Sequence, residues 1–354
     1  MWRHFCLLLL LLGALSSYAQ DSALVDLSLE ARGDYQRNAI DGDAVKDDCG
    51  FKGQYLNLVL NGNITPKLSY SFRHRLNKMH KNQNFFDATD WLHLDYKPTP
   101  AITLSAGKQV VWIGGFEYDR APIDLYFCSE FWNNIPCYQW GGSAGYTFNR
   151  QRDQLVLQFC ESPFRSFWEH SDMYAYNLLW RGSHGPWSTI WSVNAMEWKQ
   201  GRFMSYISLG NQFQLGSKAT LAIDFLNRAS NHQTFLFKDC SVVGEVSVRP
   251  IKRLNIFGKY SYDVNHSGTA HDWLVLDGTE VQRIGAGVEF FPLRNHDVRL
   301  HANYSYSWGS NDNPHGATMD KQSIFGLGIT WKMNLLHFKK TASQSSASKA
   351  HVLL

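Results

Sequence analysis

The 354-residue sequence has little charge, few cysteines and, after its first twenty residues, no long apolar run. Charged residues make up only 18% and hydrophobic residues 44%, which excludes a disordered, collagenous or coiled-coil chain. The formal net charge of +3 is too small to predict a nucleic-acid partner. Six cysteines in a chain of this length do not form a disulfide scaffold. No stretch after Gln20 approaches the roughly 20 apolar residues that a membrane-spanning helix needs.

The first nineteen residues have the pattern of a secretory signal peptide. A short basic segment precedes an apolar core over residues 5–12, and residues 17–19 form a small-x-small cleavage site. The apolar core is too short to cross a bilayer as a helix. We therefore predict a signal peptide over residues 1–19 and an exported chain that starts at Gln20. A retained anchor helix is the alternative.

The exported part of the chain alternates apolar and polar residues in one segment after another. In residues 298–308 the apolar positions are Leu300, Ala302, Tyr304, Tyr306 and Trp308. A half-buried strand of a soluble sandwich also alternates in this way. These segments, however, reach about ten residues and carry aromatic side chains near the ends of their apolar faces, while their opposite faces are polar, small or charged. Those features are typical of strands that cross a membrane.

Sixteen such segments can be counted. They are residues 23–37, 50–64, 67–78, 88–98, 101–112, 139–149, 153–163, 173–183, 187–198, 202–214, 218–229, 234–249, 254–265, 281–293, 297–308 and 321–338. Every second connection is short and rich in Pro, Gly or Asn, whereas the others are generally longer. A sandwich has no reason to show this alternation of connection lengths.

These patterns predict an all-β fold: a transmembrane antiparallel β-barrel of about sixteen strands, over residues 20–338. An even number of strands places both termini on the periplasmic side. Residues 339–354 are polar and rich in Ser, and we interpret them as a disordered tail.

The connection after the fifth segment, residues 113–138, is long and unusually apolar. It also carries five charged residues that we expect at a pore constriction: Glu117, Asp119, Arg120, Asp124 and Glu130. A loop this apolar is not expected to lie in solvent. We predict that it folds into the lumen, narrows the pore and sets the local charge. An external lid or a partner-contact loop is the alternative.

Short motifs in this region resemble one known family. Gly-Lys-Gln at residues 107–109, Gly-Gly-Phe-Glu-Tyr-Asp at 114–119, Pro-Ile-Asp at 122–124 and Gly-Gly at 141–142 are similar to the phosphate-selective porins O and P. The resemblance implies a sixteen-stranded outer-membrane barrel, usually trimeric, whose third loop folds into the pore and whose luminal Arg and Lys select anions. One departure is that the chain continues sixteen residues past Phe338, where the family's barrel normally ends.

Inward-facing positions of the predicted strands carry cations and acids in nearly equal numbers. The predicted pore-lining basic residues are Arg73, Arg75, Lys108, Arg181, Lys259, Arg283, Arg299 and Lys332. Lys108 falls on the outward face unless a bulge precedes it. Because anion selectivity needs an excess of Arg or Lys, the sequence supports a general diffusion pore for small polar solutes or anions, with phosphate as one candidate.

The sequence offers little other chemistry. Cys128 and Cys137 lie nine residues apart in the long loop and could form a disulfide in an oxidising compartment. We find no metal-binding spacing, no nucleotide loop and no GxSxG or HExxH motif. These absences predict a protein without enzyme activity, metal or cofactor.

Taken together, the patterns predict a passive pore in the outer membrane of a Gram-negative bacterium. Its expected partners are membrane lipid, small polar or anionic solutes and two further copies of the chain, without nucleic acid. The alternative is an occluded barrel that acts in surface polysaccharide assembly or adhesion. In that case the long loop would be a plug, and the barrel would not conduct.

Overall fold

The computed structural model describes residues 23–78, 84–168, 172–231, 236–311, 313 and 316–339. The predicted signal peptide, residues 1–19, lies outside the described residues, as does the predicted tail beyond Lys339. Among the described residues, no helix has the length and apolar character that a membrane crossing requires.

Seventeen strands form a single antiparallel sheet that closes on itself. The strands are β1 (Ala23–Ile40), β2 (Asp43–Ala44), β3 (Gly50–Thr65), β4 (Leu68–Arg75), β5 (Thr89–Thr99), β6 (Ile102–Val110), β7 (Tyr138–Phe148), β8 (Asp153–Glu161), β9 (Tyr174–His184), β10 (Trp187–Lys199), β11 (Arg202–Leu215), β12 (Ala219–Ala229), β13 (Asp239–Ile251), β14 (Leu254–Asn265), β15 (Glu280–Phe290), β16 (Val298–Ser310) and β17 (Gln322–Lys339). The two-residue β2 extends the first connection and pairs with the end of β1. The other sixteen strands form the barrel, so the prediction of a sixteen-stranded antiparallel barrel is confirmed.

The first and last strands close the barrel. Their pairing runs from Ala23 opposite Lys339 to Ile40 opposite Gln322, with two register shifts near the short-turn end. The last strand therefore continues one residue past Phe338, the predicted end of the barrel. Its register is fixed by β1 on one side and by β16 on the other.

The two faces of the strands differ in polarity. On β8, for example, Leu155, Leu157 and Phe159 are exposed on the outer wall, whereas Gln158 between them is buried inside. On β1 the inward-facing polar residue Arg32 is likewise buried. An apolar exterior around a polar interior is the inverse of a water-soluble protein, and it suits a barrel wall in contact with lipid.

The connection between β6 and β7 is the long loop that the sequence indicated. It contains two short helices, α1 (Phe116–Asp119) and α2 (Glu130–Asn134), and a turn of 3-10 helix at Pro122–Asp124. Just before α1, Gly114 passes close to strand β10: a Cβ there would lie 2.5 Å from the carbonyl oxygen of Ile190. Only glycine allows this approach, so the Gly-Gly pair directs the loop along the inner wall.

Part of the barrel interior is packed like the core of a soluble protein. A buried apolar cluster joins the long loop (Val111, Ile113, Phe131 and Ile135), the wall (Cys160, Ala175, Met196, Met204, Tyr206 and Leu226) and two further connections (Phe164, Met173, Leu274 and Val275). The wall residues of this cluster lie on β8 to β12. We call the side of the interior from β8 to β16, which holds this cluster and one smaller cavity near the short turns, the filled side. Close packing of this kind excludes water.

Candidate functional site

Two aspartates of the wall cap the two helices of the long loop. Asp224 on β12 accepts hydrogen bonds from the first two backbone N–H groups of α1, both at 2.8 Å. Asp263 on β14 does the same for α2, at 2.8 and 3.4 Å. The first N–H groups of a helix have no partner within the helix, and a carboxylate is well suited to accept from them. Both aspartates are buried inside the barrel, which places both helices there.

Cations of the wall hold the rest of the loop. Lys259 on β14 donates to the carbonyl oxygen of Phe127 at 2.8 Å and pairs with Glu117 at 2.5 Å. Arg299 on β16 pairs with Asp124 at 2.8 Å. The further donors are Arg32 on β1, to the carbonyl oxygen of Ile123 at 3.3 Å, and Arg283 on β15, to that of Cys128 at 3.4 Å. Because the loop starts at β6 and reaches β14, β15, β16 and β1, it crosses the barrel interior.

The C-terminal end of α1 is held from two directions. Asp119 pairs with Arg181 of β9 at 2.5 Å, and Arg120 pairs with Glu245 of β13 at 2.9 Å. These two strands lie on either side of β11, so α1 is fixed across the inner surface of the wall. Asp119 and Arg120 also line a cavity on the side of the loop that faces β4 to β6.

This cavity lies between the loop and the wall of β4 to β6 and has a volume of about 880 Å³. We call it the passage, and this part of the interior the open side. At the long-loop end of the barrel its lining includes Lys78 and Asp87, and at the short-turn end it includes Lys97, Thr103 and Gln154. One cavity therefore extends along the height of the barrel.

Two smaller cavities lie on the other side of the loop. One, of about 610 Å³, opens toward the short turns beside Lys218 and Arg249, and the other, of about 510 Å³, opens toward the long loops beside Asn38 and Asp48. Both are lined by residues 125–127 of the loop. This segment separates the two cavities, so the passage on the open side is the continuous route.

Basic residues outnumber acidic residues in the lining of the passage. The basic lining residues are Arg73, Arg75, Lys78, Lys97, Lys108 and Arg120, and the acidic ones are Asp87, Asp90, Asp95 and Asp119. Arg73 and Arg75 share one partner, Asp90, at 2.8 and 2.9 Å. Within the described part of the chain, no ion pair is formed by Lys78, Lys97 or Lys108. The passage therefore has an excess of positive charge.

Lys108 reaches the passage without a register shift. Its strand, β6, pairs regularly with β5 and β7 around this position. Gly107 just before it has a φ of +131°, a backbone conformation that favours glycine. The ammonium group of Lys108 donates to the carbonyl oxygen of Phe86 at 2.7 Å, at the long-loop end. Lys108 thus lines the passage by the twist of its backbone rather than by a bulge.

The structure divides the predicted site residues into three groups. Those that line the passage are Arg73, Arg75, Lys108, Asp119 and Arg120. Those that line the 610 Å³ cavity are Asp124, Lys259 and Arg299, together with Arg120. The remaining basic residues are Arg181, which holds Asp119, Arg283, which is buried against the loop, and Lys332, which lies 3.8 Å from Glu30.

Two of the five predicted constriction residues are not exposed to the pore. Glu117 is buried by Lys259 and by Ser129, whose backbone N–H donates to it at 3.0 Å. Glu130 is completely buried and accepts hydrogen bonds from the backbone N–H of Thr318 at 3.1 Å and from Asn134 at 2.7 Å. Both carboxylates hold the loop in place, which corrects the expectation that they set the charge of the constriction.

The predicted disulfide between Cys128 and Cys137 is not formed, and both residues are free thiols. Cys128 lines the 510 Å³ cavity and Cys137 lines the passage, with α2 between them in the chain. Burial raises the pKa of the Cys128 thiol to about 12 and that of Cys137 to about 11. Both thiols therefore stay protonated and inert at neutral pH.

The capping aspartates and two of the lysines were not singled out by sequence reasoning. Asp224 and Asp263 occupy inward positions of their strands, and this was the signal that could have indicated contacts with the loop. Lys78 and Lys97 lie at strand ends, where alternation carries little information. No group of three or more His, Cys, Asp or Glu side chains suited to a metal ion occurs among the residues that the structure describes.

One protein-family model matches the first half of the barrel. Residues 25–186 match the family of phosphate-selective porins O and P. The resemblance predicted from the motifs of the third loop is confirmed for this part of the chain, which includes the whole loop. No curated protein sequence matches the chain.

Solved structures of porins share the fold. OmpT of Vibrio cholerae superposes with a TM-score of 0.60 at 13% identity, covering 89% of this chain and 99% of that one. The anion-selective porin from Comamonas acidovorans gives 0.61 at 11% identity, with 87% and 99% covered. An in-vitro folded trimer form of the Vibrio protein gives 0.57 at 12% identity, with 88% and 100% covered. At these identities the likeness establishes a porin-like barrel fold.

Proposed function

We propose that the protein is an outer-membrane porin through which small polar solutes and anions diffuse along the passage. The observation that carries this proposal is the single cavity of about 880 Å³ whose lining extends from Lys78 to Lys97, beside a loop fixed to the opposite wall. The apolar outer face of the strands suits insertion in lipid. A porin-like barrel fits a channel rather than an enzyme.

The charge of the passage supports a preference for anions. Lys78, Lys97 and Lys108 are not neutralised by ion pairs among the described residues, whereas Asp90 and Asp119 are each bound by arginine. An excess of positive charge in a narrow aqueous route lowers the barrier for anions and raises it for cations. The family match and the anion-selective neighbour agree with this preference, and phosphate is one candidate solute.

The proposal also covers the cellular location and the oligomeric state of the protein. The signal peptide over residues 1–19 directs export and is removed, and the barrel inserts in the outer membrane of a Gram-negative bacterium with its short turns toward the periplasm. We also propose a homotrimer, because a trimer form of the structurally similar OmpT exists.

The test is planar-bilayer conductance of the detergent-purified protein, with the reversal potential measured in a salt gradient. We expect discrete conductance steps and a reversal potential whose sign indicates anions as the main carriers. A protein that inserts but never conducts would overturn the proposal and favour the occluded barrel, in which the filled side would extend across the lumen.

A further inference from the structure

The wall and the loop give the passage two chemically different surfaces. The wall of β4 to β6 contributes the cations Arg73, Arg75 and Lys108. Apart from Asp119 and Arg120, which are paired with Arg181 and Glu245, the loop contributes mainly apolar and aromatic side chains: Trp112, Ile113, Pro122, Trp132, Ile135 and Pro136. A solute in the passage therefore meets positive charge on one side and apolar surface on the other.

Aromatic rings also lie next to the cations. The guanidinium carbon of Arg73 is 3.8 Å from the centroid of the Trp91 ring and 5.6 Å from that of the Tyr138 ring. Its Nη2 donates a hydrogen bond to the Tyr138 hydroxyl at 2.5 Å. The guanidinium carbon of Arg75 lies 5.5 Å from the centroid of the Tyr55 ring. Cations stacked on rings in this way are less hydrated than free ammonium groups, and the surface around them is apolar.

The loop side of the passage carries hydrogen-bond donors without partners. The indole N–H of Trp112, the hydroxyl of Tyr118 and the amide nitrogen of Asn133 make no hydrogen bond among the described residues, although each atom is buried. All three residues line the passage. Buried donors without acceptors are costly and uncommon in native proteins. Because each of these atoms is shielded from solvent, it is not offered to a solute, and the three residues meet the passage with their ring and carbon surfaces.

From these surfaces we infer that the passage selects small organic anions that carry an apolar face, such as aryl carboxylates and aryl phosphates, over inorganic phosphate. The anionic group of such a solute contacts the lysines and arginines of the wall, while its ring contacts Trp112, Trp132 and the prolines of the loop. Inorganic phosphate gains nothing from the apolar surface. This inference rests on the proposed porin function.

The test compares how strongly matched anions block the chloride current through single channels. Phenyl phosphate is compared with inorganic phosphate, and benzoate with acetate. We expect the aryl member of each pair to block at a concentration at least tenfold lower than its partner. Equal block by both members, with conductance steps present, would overturn the inference and leave the porin function standing. A silent protein would overturn both.

Two variants of the loop aromatic sharpen the test. Trp132→Ala removes a ring that lines the passage and should abolish the difference between phenyl phosphate and phosphate, while Trp132→Phe should retain it. Trp140→Ala removes an exposed ring from the outer wall of β7 and is the matched control. Heat-dependent migration on a gel shows that each barrel has folded. If Trp132→Ala keeps the full difference, the loop surface does not select the solute.

Discussion

Lysine and arginine side chains of the wall are buried by the loop on the filled side of the barrel but line a cavity on the open side. On the filled side Lys259 and Arg283 are buried against carbonyl oxygens of the loop, whereas on the open side Lys78 and Lys108 line a cavity of about 880 Å³. Lys259 and Arg283 are inward-facing residues of neighbouring strands, as a pore-lining cation would be. The path of the loop therefore determines whether a wall cation anchors the loop or remains available to attract a solute.

Removal of the loop should have the largest effect, because it abolishes the difference between the filled side and the open side. Deletion of residues 116–134 joins the passage to the two smaller cavities, because the segment that separates them is lost. We expect single-channel conductance to rise several-fold and anion preference to fall. Shortening the exposed connection around β2 is the control and should leave conductance unchanged. An equal or lower conductance after the deletion would place the loop outside the conducting route.

Loosening the loop without deleting it should have a smaller effect. The double variant Asp224→Ala, Asp263→Ala removes both helix caps, each worth about 1 kcal/mol. We expect a lower unfolding temperature on heated gels and larger current fluctuations, because the loop then moves on the inner wall.

Asp43→Ala, on the exposed strand β2, is the matched control for this pair of caps. Quiet currents and an unchanged unfolding temperature in the double variant would mean that the caps do not hold the loop.

Removing two cations from each side separates solute attraction from loop anchoring. Lys78→Gln with Lys108→Gln should move the reversal potential toward zero and change the unfolding temperature little, since neither lysine forms an ion pair among the described residues. Lys259→Gln with Arg283→Gln should lower the unfolding temperature, because Glu117 loses its ion-pair partner and stays buried. The division into sides would be refuted if the Lys78 and Lys108 variant lowered the unfolding temperature while the Lys259 and Arg283 variant changed only the reversal potential.

The smallest expected effect concerns pH on the open side. Burial, and after it the nearby charge of Arg75, lowers the pKa of Lys78 below the ordinary lysine value of about 10.4. A lowered pKa means that the ammonium group loses its proton at a lower pH than other lysines. Anion preference should therefore be constant near neutrality and decline as the pH rises toward that value.

The reversal potential measured at increasing pH checks this prediction. Lys78→Arg keeps its charge at high pH and should reduce the decline. A decline of the same size in Lys78→Arg would assign the titration to another group.

The barrel could be predicted from the sequence because the direction of a strand side chain is a local property. Alternation with a period of two is present in every segment, and a slip of one residue would place the apolar face inside. The third loop was also recognisable, because its length and apolar content do not fit a solvated turn. Predicted segments and observed strands agree within a few residues, with the largest difference before Asp239.

The contents of the pore could not be predicted in the same way. Alternation places Lys259 inward but does not say that the carbonyl oxygen of Phe127 will cover it, because that depends on the three-dimensional path of a distant segment. Lys108 reaches the passage through the backbone twist at Gly107. The spacing of Cys128 and Cys137 likewise allowed a disulfide, whereas both thiols are free in the structure.

The seam between β1 and β17 has a consequence for how the chain is assembled. The loop after β6 is synthesised early, but its anchors on β14, β15 and β16 follow more than a hundred residues later, and β1 has no final partner until β17 is complete. Contacts so distant in sequence form slowly. The apolar residues around Phe131 therefore remain uncovered until the second half of the chain has been made, and a chain that stops short of β17 exposes both this apolar surface and an unpaired edge of β1.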